Sequence, residues 1–369
     1  MRLPPSMVIS IAVALTACSV TDPVATILPV ASAHANVQAS ATTWTLSAIA
    51  APTTGAGVGE AVLDNGMAVG RRGSAGFSSP GTGTGSVLPP ATGFSDAHTY
   101  DVALVAGNLI AVGYSGTSEG SIPSRATYWR LNSVGAPLAS VDMGLAPGLK
   151  GAIARGINSK GEIVGYGFVT PGTFSAWRRS ATGVLSVISS VGVTAAVAED
   201  INDKSTAVGV STRTNGTIRA FRWPVISGEF TIMQALAPLT GHTESNAYAV
   251  NLGGTVVGYS SGTGGRVAVK WNSGSTVAVD LGLGANSEAR EINSAGYILV
   301  RRPSGGGGRE IVVVAPSGSV LTLPSATTAG FYEAWGLNSC GDVVGSGPTS
   351  AGQPSSMTAI RWTASPCVP

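Results

Sequence analysis

Charged and aromatic residues recur at one position of a sequence unit that repeats along this chain. The position lies ten residues before the last residue of each unit, and its neighbours stay small. Six units carry a large side chain there: Glu60, Arg155, Glu199, Tyr248, Arg290 and Trp335. Charged and aromatic groups that converge on a concave surface can bind a ligand. We therefore predict a candidate binding ring. The alternative is that these residues are solvated strand ends, as we expect for Arg301.

Three carboxylates at or next to this position, Glu199, Asp200 and Glu291, are the candidates for catalysis. Glycoside hydrolysis requires two carboxyl groups about 5–10 Å apart, which makes a polysaccharide hydrolase or lyase one prediction. Few residues are available for other catalytic sets, because the chain has three His, three Cys and no Gly-x-Ser-x-Gly sequence. No His or Cys spacing resembles a metal site. We expect neither a metal nor a cofactor, and the residues favour a protein without catalytic activity.

The repeated unit itself predicts short strands. Its clearest copy is Ala154–Gly165, and the copies end at Gly70, Gly113, Gly165, Gly209, Gly258, Val300 and Gly345. A Trp beside a basic residue follows five of them: Trp129, Trp177, Trp223, Trp271 and Trp362. An Asn-x-x-Gly sequence within the unit predicts a hairpin turn, and an alternating apolar segment such as Phe230–Met233 completes the unit. Each unit thus holds four strand candidates in about 46 residues, the length of a β-propeller blade.

The two ends of the chain indicate how the repeats close. Only seven residues follow Trp362, too few for a fourth strand, whereas Trp44–Pro52 matches the trailing segment of another unit. An N-terminal strand that completes the last blade closes a propeller and removes its sheet edges. We therefore predict an all-β fold, a β-propeller of about seven four-stranded blades closed by an N-terminal strand. Six or eight blades remain alternatives, and each Trp is predicted to wedge between neighbouring blades.

The units resemble the HAF family of extracellular repeats. Gly156–Gly165 reads Gly-Ile-Asn-Ser-Lys-Gly-Glu-Ile-Val-Gly and matches the family's Gly-Ile-Asn-x-x-Gly-x-Val-Val-Gly. Ala220–Trp223 is similar to its second element, although the family's His is absent here. The resemblance covers about residues 43–369. It implies an extracytoplasmic β-repeat domain and implies no activity, because the family is defined by its repeat.

The N-terminus resembles a bacterial lipoprotein signal. Residues 1–17 carry Arg2 and an apolar run that is too short to span a membrane, and Leu15-Thr-Ala-Cys18 is similar to the lipobox. This resemblance implies that Cys18 is lipidated and becomes the mature N-terminus, and Ser19 after it is typical of outer-membrane lipoproteins. Residues 18–41 then form a flexible tether and residues 42–369 the propeller. The alternative is an ordinary signal with an Ala-x-Ala cleavage site.

The two other cysteines, Cys340 and Cys367, are predicted to form a disulfide, with two separate thiols as the alternative. Charged residues make up 11% of the chain and the net charge is +2, which argues against disorder and gives no case for a nucleic-acid partner. We expect a monomer that is extracytoplasmic, contacts the membrane only through its lipid, and binds an unidentified envelope protein or glycan. A purely structural envelope or spore-coat role is a further alternative.

Overall fold

Short apolar segments separated by glycine-rich turns become strands in this protein. The structure is a computed structural model that describes residues 43–50, 55–81, 84–117, 124–170, 173–188, 191–226, 229–230, 233–352 and 357–365. These residues form seven four-stranded antiparallel sheets and one extra hairpin. The sheets are the blades of a ring, so the predicted all-β, seven-bladed propeller is confirmed. No helix in this part of the chain is long and apolar enough to cross a membrane.

Each blade uses consecutive strands, running from the central channel outward. The first strand of the chain is β1 (Thr43–Ala48). Blade 1 contains β2 (Gly57–Val62), β3 (Ala68–Arg72), β4 (Ala75–Ser79) and β5 (Ser86–Leu88). Blade 2 contains β6 (Asp96–Val105), β7 (Asn108–Gly116), β8 (Arg125–Leu131) and β9 (Pro137–Asp142). Blade 3 contains β10 (Gly151–Ile157), β11 (Ile163–Thr170), β12 (Thr173–Arg179) and β13 (Leu185–Val187).

The remaining blades follow the same plan, apart from one additional hairpin. Blade 4 contains β14 (Val193–Ile201), β15 (Ala207–Arg213), β16 (Ile218–Trp223) and β19 (Gln234–Leu236), with β17 (Val225–Ile226) and β18 (Glu229–Phe230) as the extra hairpin. Blade 5 contains β20 (Glu244–Val250), β21 (Val256–Gly262), β22 (Gly265–Trp271) and β23 (Ala278–Ala285). Blade 6 contains β24 (Glu288–Ile292), β25 (Ile298–Pro303), β26 (Arg309–Val314) and β27 (Val320–Thr322). Blade 7 contains β28 (Glu333–Leu337), β29 (Val343–Gly347) and β30 (Thr358–Ser365).

The N-terminal strand β1 closes the ring as predicted. It pairs with β30 in antiparallel register, with Leu46 opposite Trp362, and is the outermost strand of blade 7. The predicted start of the trailing strand of blade 4, Phe230, is wrong. The extra hairpin includes Phe230, and the outer strand of the blade begins at Gln234.

The predicted tryptophan wedges are present. Trp129, Trp271 and Trp362 are almost completely buried. Their indole nitrogens donate hydrogen bonds to the segment that enters each blade, over distances of 2.6 Å to Pro89 O, 2.8 Å to Ala237 O and 2.7 Å to Pro324 O. Each ring therefore fills the space between two blades and satisfies its single donor there.

The asparagine of this turn does more than shape its own hairpin, both in the Asn-x-x-Gly turns and in blade 4, where Ser205 stands in place of the glycine. In blade 4, Asn202 Oδ1 accepts hydrogen bonds from the backbone N–H groups of Lys204 and Thr206, both at 3.0 Å. Its Nδ2 donates to Asn251 O, the carbonyl of the equivalent asparagine in blade 5, at 2.8 Å. We call this second bond the asparagine bridge. Similar bridges start from Asn158, Asn251, Asn293 and Asn338. They link blades 3 to 7 in succession and link blade 7 to blade 1.

The glycine that ends most units is explained by a β-bulge between the first two strands of each blade. In blade 4, the register of β14 against β15 skips Glu199, so that Ala198 pairs with Gly209 and Asp200 with Val208. A Cβ on Gly209 would overlap the carbonyl oxygen of Val197. The residue opposite the bulge in blade 4 must therefore be small, whereas Val300 occupies the equivalent position in blade 6.

Candidate functional site

The six residues of the predicted ring line one cavity of about 540 Å³ in the central channel. In each of these six blades, the ring residue is the one that the β-bulge leaves unpaired, so its side chain turns into the channel. The register skips Glu60, Arg155, Glu199, Tyr248, Arg290 and Trp335. The structure therefore brings together residues that are about 45 positions apart in the sequence.

Tyr100 is the seventh member of the ring, and the sequence analysis missed it. It is the unpaired bulge residue of blade 2 and lines the same cavity. The first hairpin of blade 2 is longer than in the other blades, so the bulge lies thirteen residues before Gly113, and Ala103 occupies the position counted from the sequence. The acidic residue after Tyr100 resembles the Glu199-Asp200 pair and could have located it.

One half of the ring is organised around Arg155. Its Nε lies 3.0 Å from Glu199 Oε2 in blade 4, and its guanidinium lies 4.3 Å from the centre of the Tyr100 ring in blade 2. Burial lowers the pKa of Arg155, but Glu199 and the weaker contributions of Tyr100, Tyr166 and Glu60 together outweigh burial and raise it. Arg155 therefore stays charged and links three consecutive blades.

The other half of the ring is organised around Arg290. Its guanidinium lies 3.5 Å from the centre of the Tyr248 ring and 4.2 Å from that of Trp335, so it is held between the two aromatic rings. Burial raises the pKa of Tyr248 to about 12. The side chains of Glu60 and Arg290 are only 8% and 7% exposed. These two residues are therefore not solvated strand ends.

Arg301 lies behind Arg290 and is also buried, so the prediction of a solvated strand end is wrong for it. It forms ion pairs with Glu288 and Glu333, which also pair with Arg266 and Arg309 respectively. Burial, followed by the charge of Arg290, lowers the pKa of Arg301 to about 10. Two carboxylates thus face four arginines in this part of the ring.

Three carboxyl groups follow the bulge in blades 2, 4 and 6: Asp101, Asp200 and Glu291. Asp101 accepts backbone hydrogen bonds from Val102 and from Ile157 of blade 3, both at 2.8 Å. Asp200 accepts a bond from Val250 N of blade 5, also at 2.8 Å. All three residues line the cavity.

The protonation of these three groups is unusual. Burial and the charge of Asp200 raise the pKa of Asp101 to about 7. Burial raises the pKa of Asp200 to about 6 and, together with the charge of Asp200, raises that of Glu291 well above its usual value. Carboxyl groups with raised pKa values can act as acid or base near neutral pH. Of the three predicted catalytic candidates, Asp200 and Glu291 have this property, whereas Glu199 is paired with Arg155.

The cavity is strongly acidic. Its lining includes two arginines, Arg155 and Arg290, and these carboxylates: Glu60, Asp64, Asp101, Glu199, Asp200, Asp203 and Glu291. Within the described ranges, no group of three His, Cys, Asp or Glu is arranged to hold a metal ion. The cavity volume lies in the range of small-molecule sites.

The remaining predicted sites lie outside this cavity. Cys340, in the first hairpin of blade 7, is disulfide-bonded. Cys367, its predicted partner, and Cys18, the predicted lipidation site, lie outside the described residues. Lipidation and the pairing of Cys340 with Cys367 therefore stay predictions.

The class of protein that this architecture defines is the seven-bladed β-propeller. Similar solved structures include streptogramin B lyase, with TM-score 0.55 and 10% identity over 87% of this chain and 98% of that one. Virginiamycin B lyase from Staphylococcus aureus has TM-score 0.52 and 9% identity over 87% and 99%. Puromycin hydrolase has TM-score 0.55 and 14% identity over 83% of this chain but 52% of its own. No protein-family model and no curated protein matches the chain. At these identities the similarity shows the fold alone.

Proposed function

We propose that this protein is a lipid-anchored β-propeller of the bacterial cell envelope that binds a protein or glycan through its central cavity. The observation that carries the proposal is the convergence of all seven bulge side chains on one cavity of about 540 Å³. An ion pair or a cation–π contact joins six of the seven to a bulge side chain of a neighbouring blade: Tyr100, Arg155, Glu199, Tyr248, Arg290 and Trp335. The ring is thus preorganised, which lowers the entropic cost of binding.

The envelope location is supported by the sequence rather than by the cavity. The lipobox-like Leu15–Cys18 supports a diacyl or triacyl anchor. The match of Gly156–Gly165 to the HAF repeat supports an extracytoplasmic domain. The propeller would then stand away from the bilayer on the tether of residues 18–41, with its cavity open to a soluble or surface-bound partner.

A cross-linking experiment tests the proposal. Tagged full-length protein is cross-linked in intact cells and recovered together with its partners, and Cys18→Ala controls for the anchor. We expect a discrete protein or glycan partner that is lost with Trp335→Ala, which removes one wall of the Arg290 sandwich. The matched control is Phe331→Ala, because Phe331 is 55% exposed and is not part of the cavity. Equal recovery with both variants would contradict a role for the cavity.

A hydrolase or lyase acting on polysaccharide is the second candidate function. It is favoured by Asp200 and Glu291, which have raised pKa values, influence each other electrostatically and line one cavity. Such a pair can supply an acid and a base at the same pH. Turnover of envelope polysaccharides that disappears with both Asp200→Asn and Glu291→Gln would establish this function. If neither substitution changes the products, the carboxyl groups are not catalytic.

A further inference from the structure

We propose that the cavity accepts a small zwitterionic ligand, one that carries a carboxylate and a protonated amine on the same molecule. The ligand carboxylate is bound at Arg290, and its amine is bound by the carboxylates of Asp200 and Glu291. This inference rests on the proposed function, because it names the ligand class for the same cavity. Two observations support it, one on the carboxyl groups of the cavity and one on Arg290.

The first observation concerns the carboxylates. Within the described ranges, Asp101, Asp200 and Glu291 form no ion pair with a basic side chain. The hydrogen bonds that they accept come from backbone N–H groups. When they are ionised, these groups leave negative charge in the cavity that no ion pair neutralises. A ligand ammonium group would compensate that charge with three N–H donors.

The second observation concerns Arg290, which lies at the edge of the same cavity. Its side chain is only 7% exposed, yet its Nε has no hydrogen-bond partner among the described residues. Its closest carboxylate oxygen, Glu288 Oε2, lies 3.8 Å from Nη1, which is beyond hydrogen-bond distance. Trp335 Nε1 beside it is also buried and without an acceptor. Buried donors without acceptors are costly, so this corner of the cavity favours an anionic group.

The two kinds of charge lie side by side because of the β-bulge. Arg290 is the unpaired residue of β24 and Glu291 is the next residue along the strand, and both line the cavity. A ligand that bridges them must carry opposite charges a few bonds apart. Short peptides with free ends and amino sugars that carry a carboxylate both have this chemistry. A ligand with positive charge alone would leave the Nε of Arg290 without an acceptor.

Four matched probes test the inference by calorimetric titration of the full-length protein. They are trialanine with free ends, N-acetyl trialanine, trialanine amide, and muramic acid as an amino sugar with a carboxylate. We expect trialanine or muramic acid to bind at least about tenfold more tightly than either blocked peptide, which corresponds to about 1.4 kcal/mol. The stronger of the two identifies the ligand as peptide-like or sugar-like. Equal affinity for free and blocked peptides would overturn the inference.

Two substitutions assign the charges. Glu291→Gln should weaken the probes that carry an amine and leave N-acetyl trialanine unchanged, whereas Arg290→Gln should weaken the probes that carry a carboxylate and leave the amide unchanged. Because Arg290→Gln removes a buried cation and could unfold the blade, Glu291→Gln alone suffices for a decision. Glu310→Gln is the control, because Glu310 pairs with Arg302 and does not line the cavity.

The outcome separates this inference from the proposed function. If none of the four probes binds, but cross-linking still recovers a partner that Trp335→Ala abolishes, the zwitterion inference is wrong and the binding function stands. If a probe binds with the expected charge dependence and cross-linking recovers no partner, the cavity is a small-molecule site. In that case the proposal of a protein or glycan partner fails.

Discussion

Replacement of Asn202 by Ala should cost this propeller about 3 kcal/mol of unfolding free energy. Asn202 is buried, with 7% exposure, and its side chain takes part in three hydrogen bonds of 2.8 to 3.0 Å. Each such bond contributes about 1 kcal/mol net, and the partners left behind would be buried without replacements. A loss of this size is a large part of the roughly 5–15 kcal/mol that stabilises a typical protein.

The control for this substitution is Asn215→Ala. Asn215 accepts hydrogen bonds from Thr217 within its own turn in the same way, but it is exposed and bonds no other blade. We expect its loss to cost no more than about 0.5 kcal/mol. The difference between the two variants therefore measures burial of the asparagine together with its bridge to blade 5.

Equilibrium urea unfolding of both variants provides the measurement. The midpoint of unfolding should fall clearly for Asn202→Ala, with an unchanged dependence on urea if the ring still unfolds in one step. Amide hydrogen exchange at the seam between blades 4 and 5 should also become faster. If Asn202→Ala costs no more than Asn215→Ala, the asparagine bridge contributes nothing and the reasoning is refuted.

Three further predictions concern the backbone, the blade contacts and the cavity. Gly209→Ala should cost about 3 kcal/mol or more in urea unfolding, because its Cβ would overlap a carbonyl, whereas Gly264→Ala meets nothing within 4 Å and should be nearly neutral. Arg222→Lys should lose about 1–2 kcal/mol by the same measurement, since Arg222 donates to three carbonyls, whereas Arg130→Lys alters an exposed side chain. Finally, a carboxyl whose pKa is raised on folding binds more protons in the folded state, so stability should fall as the pH rises from about 4 to 7. Asp101→Asn should flatten this decline, and an unchanged slope would contradict the assignment.

The blade plan could be predicted from the sequence because its determinants are local and recur in most of the seven blades. Three features recur at similar distances from one another: an Asn in the first turn, a small residue opposite the bulge, and a buried Trp. The outer strand of blade 4 was misplaced because Phe230 begins an equally apolar alternating segment. No local signal distinguishes an outer strand from an extra hairpin.

The cavity could be predicted only in part. Six ring positions followed from counting back along the unit, and Tyr100 was missed because one hairpin is longer. The contacts of Arg290 with Tyr248 and Trp335 join positions 42 to 45 residues apart. Such contacts depend on how far each blade is rotated about the channel, and the sequence of one unit carries no information about that rotation.

The odd number of blades gives the cavity a direction. After the bulge, a carboxylate in blades 2, 4 and 6 alternates with a small residue in the others: Ala61, Gly156, Ala249 and Gly336. Seven positions cannot alternate completely, so two small residues meet where blade 7 joins blade 1. They pack closely there, since a Cβ on Gly336 would lie 2.8 Å from Ala61 Cα.

The three carboxyl groups that follow the bulge are therefore absent from the seam between blades 7 and 1, which Trp335 and Glu60 flank. The charge around the cavity is uneven, because these three acidic groups lie in blades 2, 4 and 6, whereas Trp335 of blade 7 contacts Arg290. The same closure that removes the sheet edges thus makes a nearly sevenfold ring asymmetric in charge.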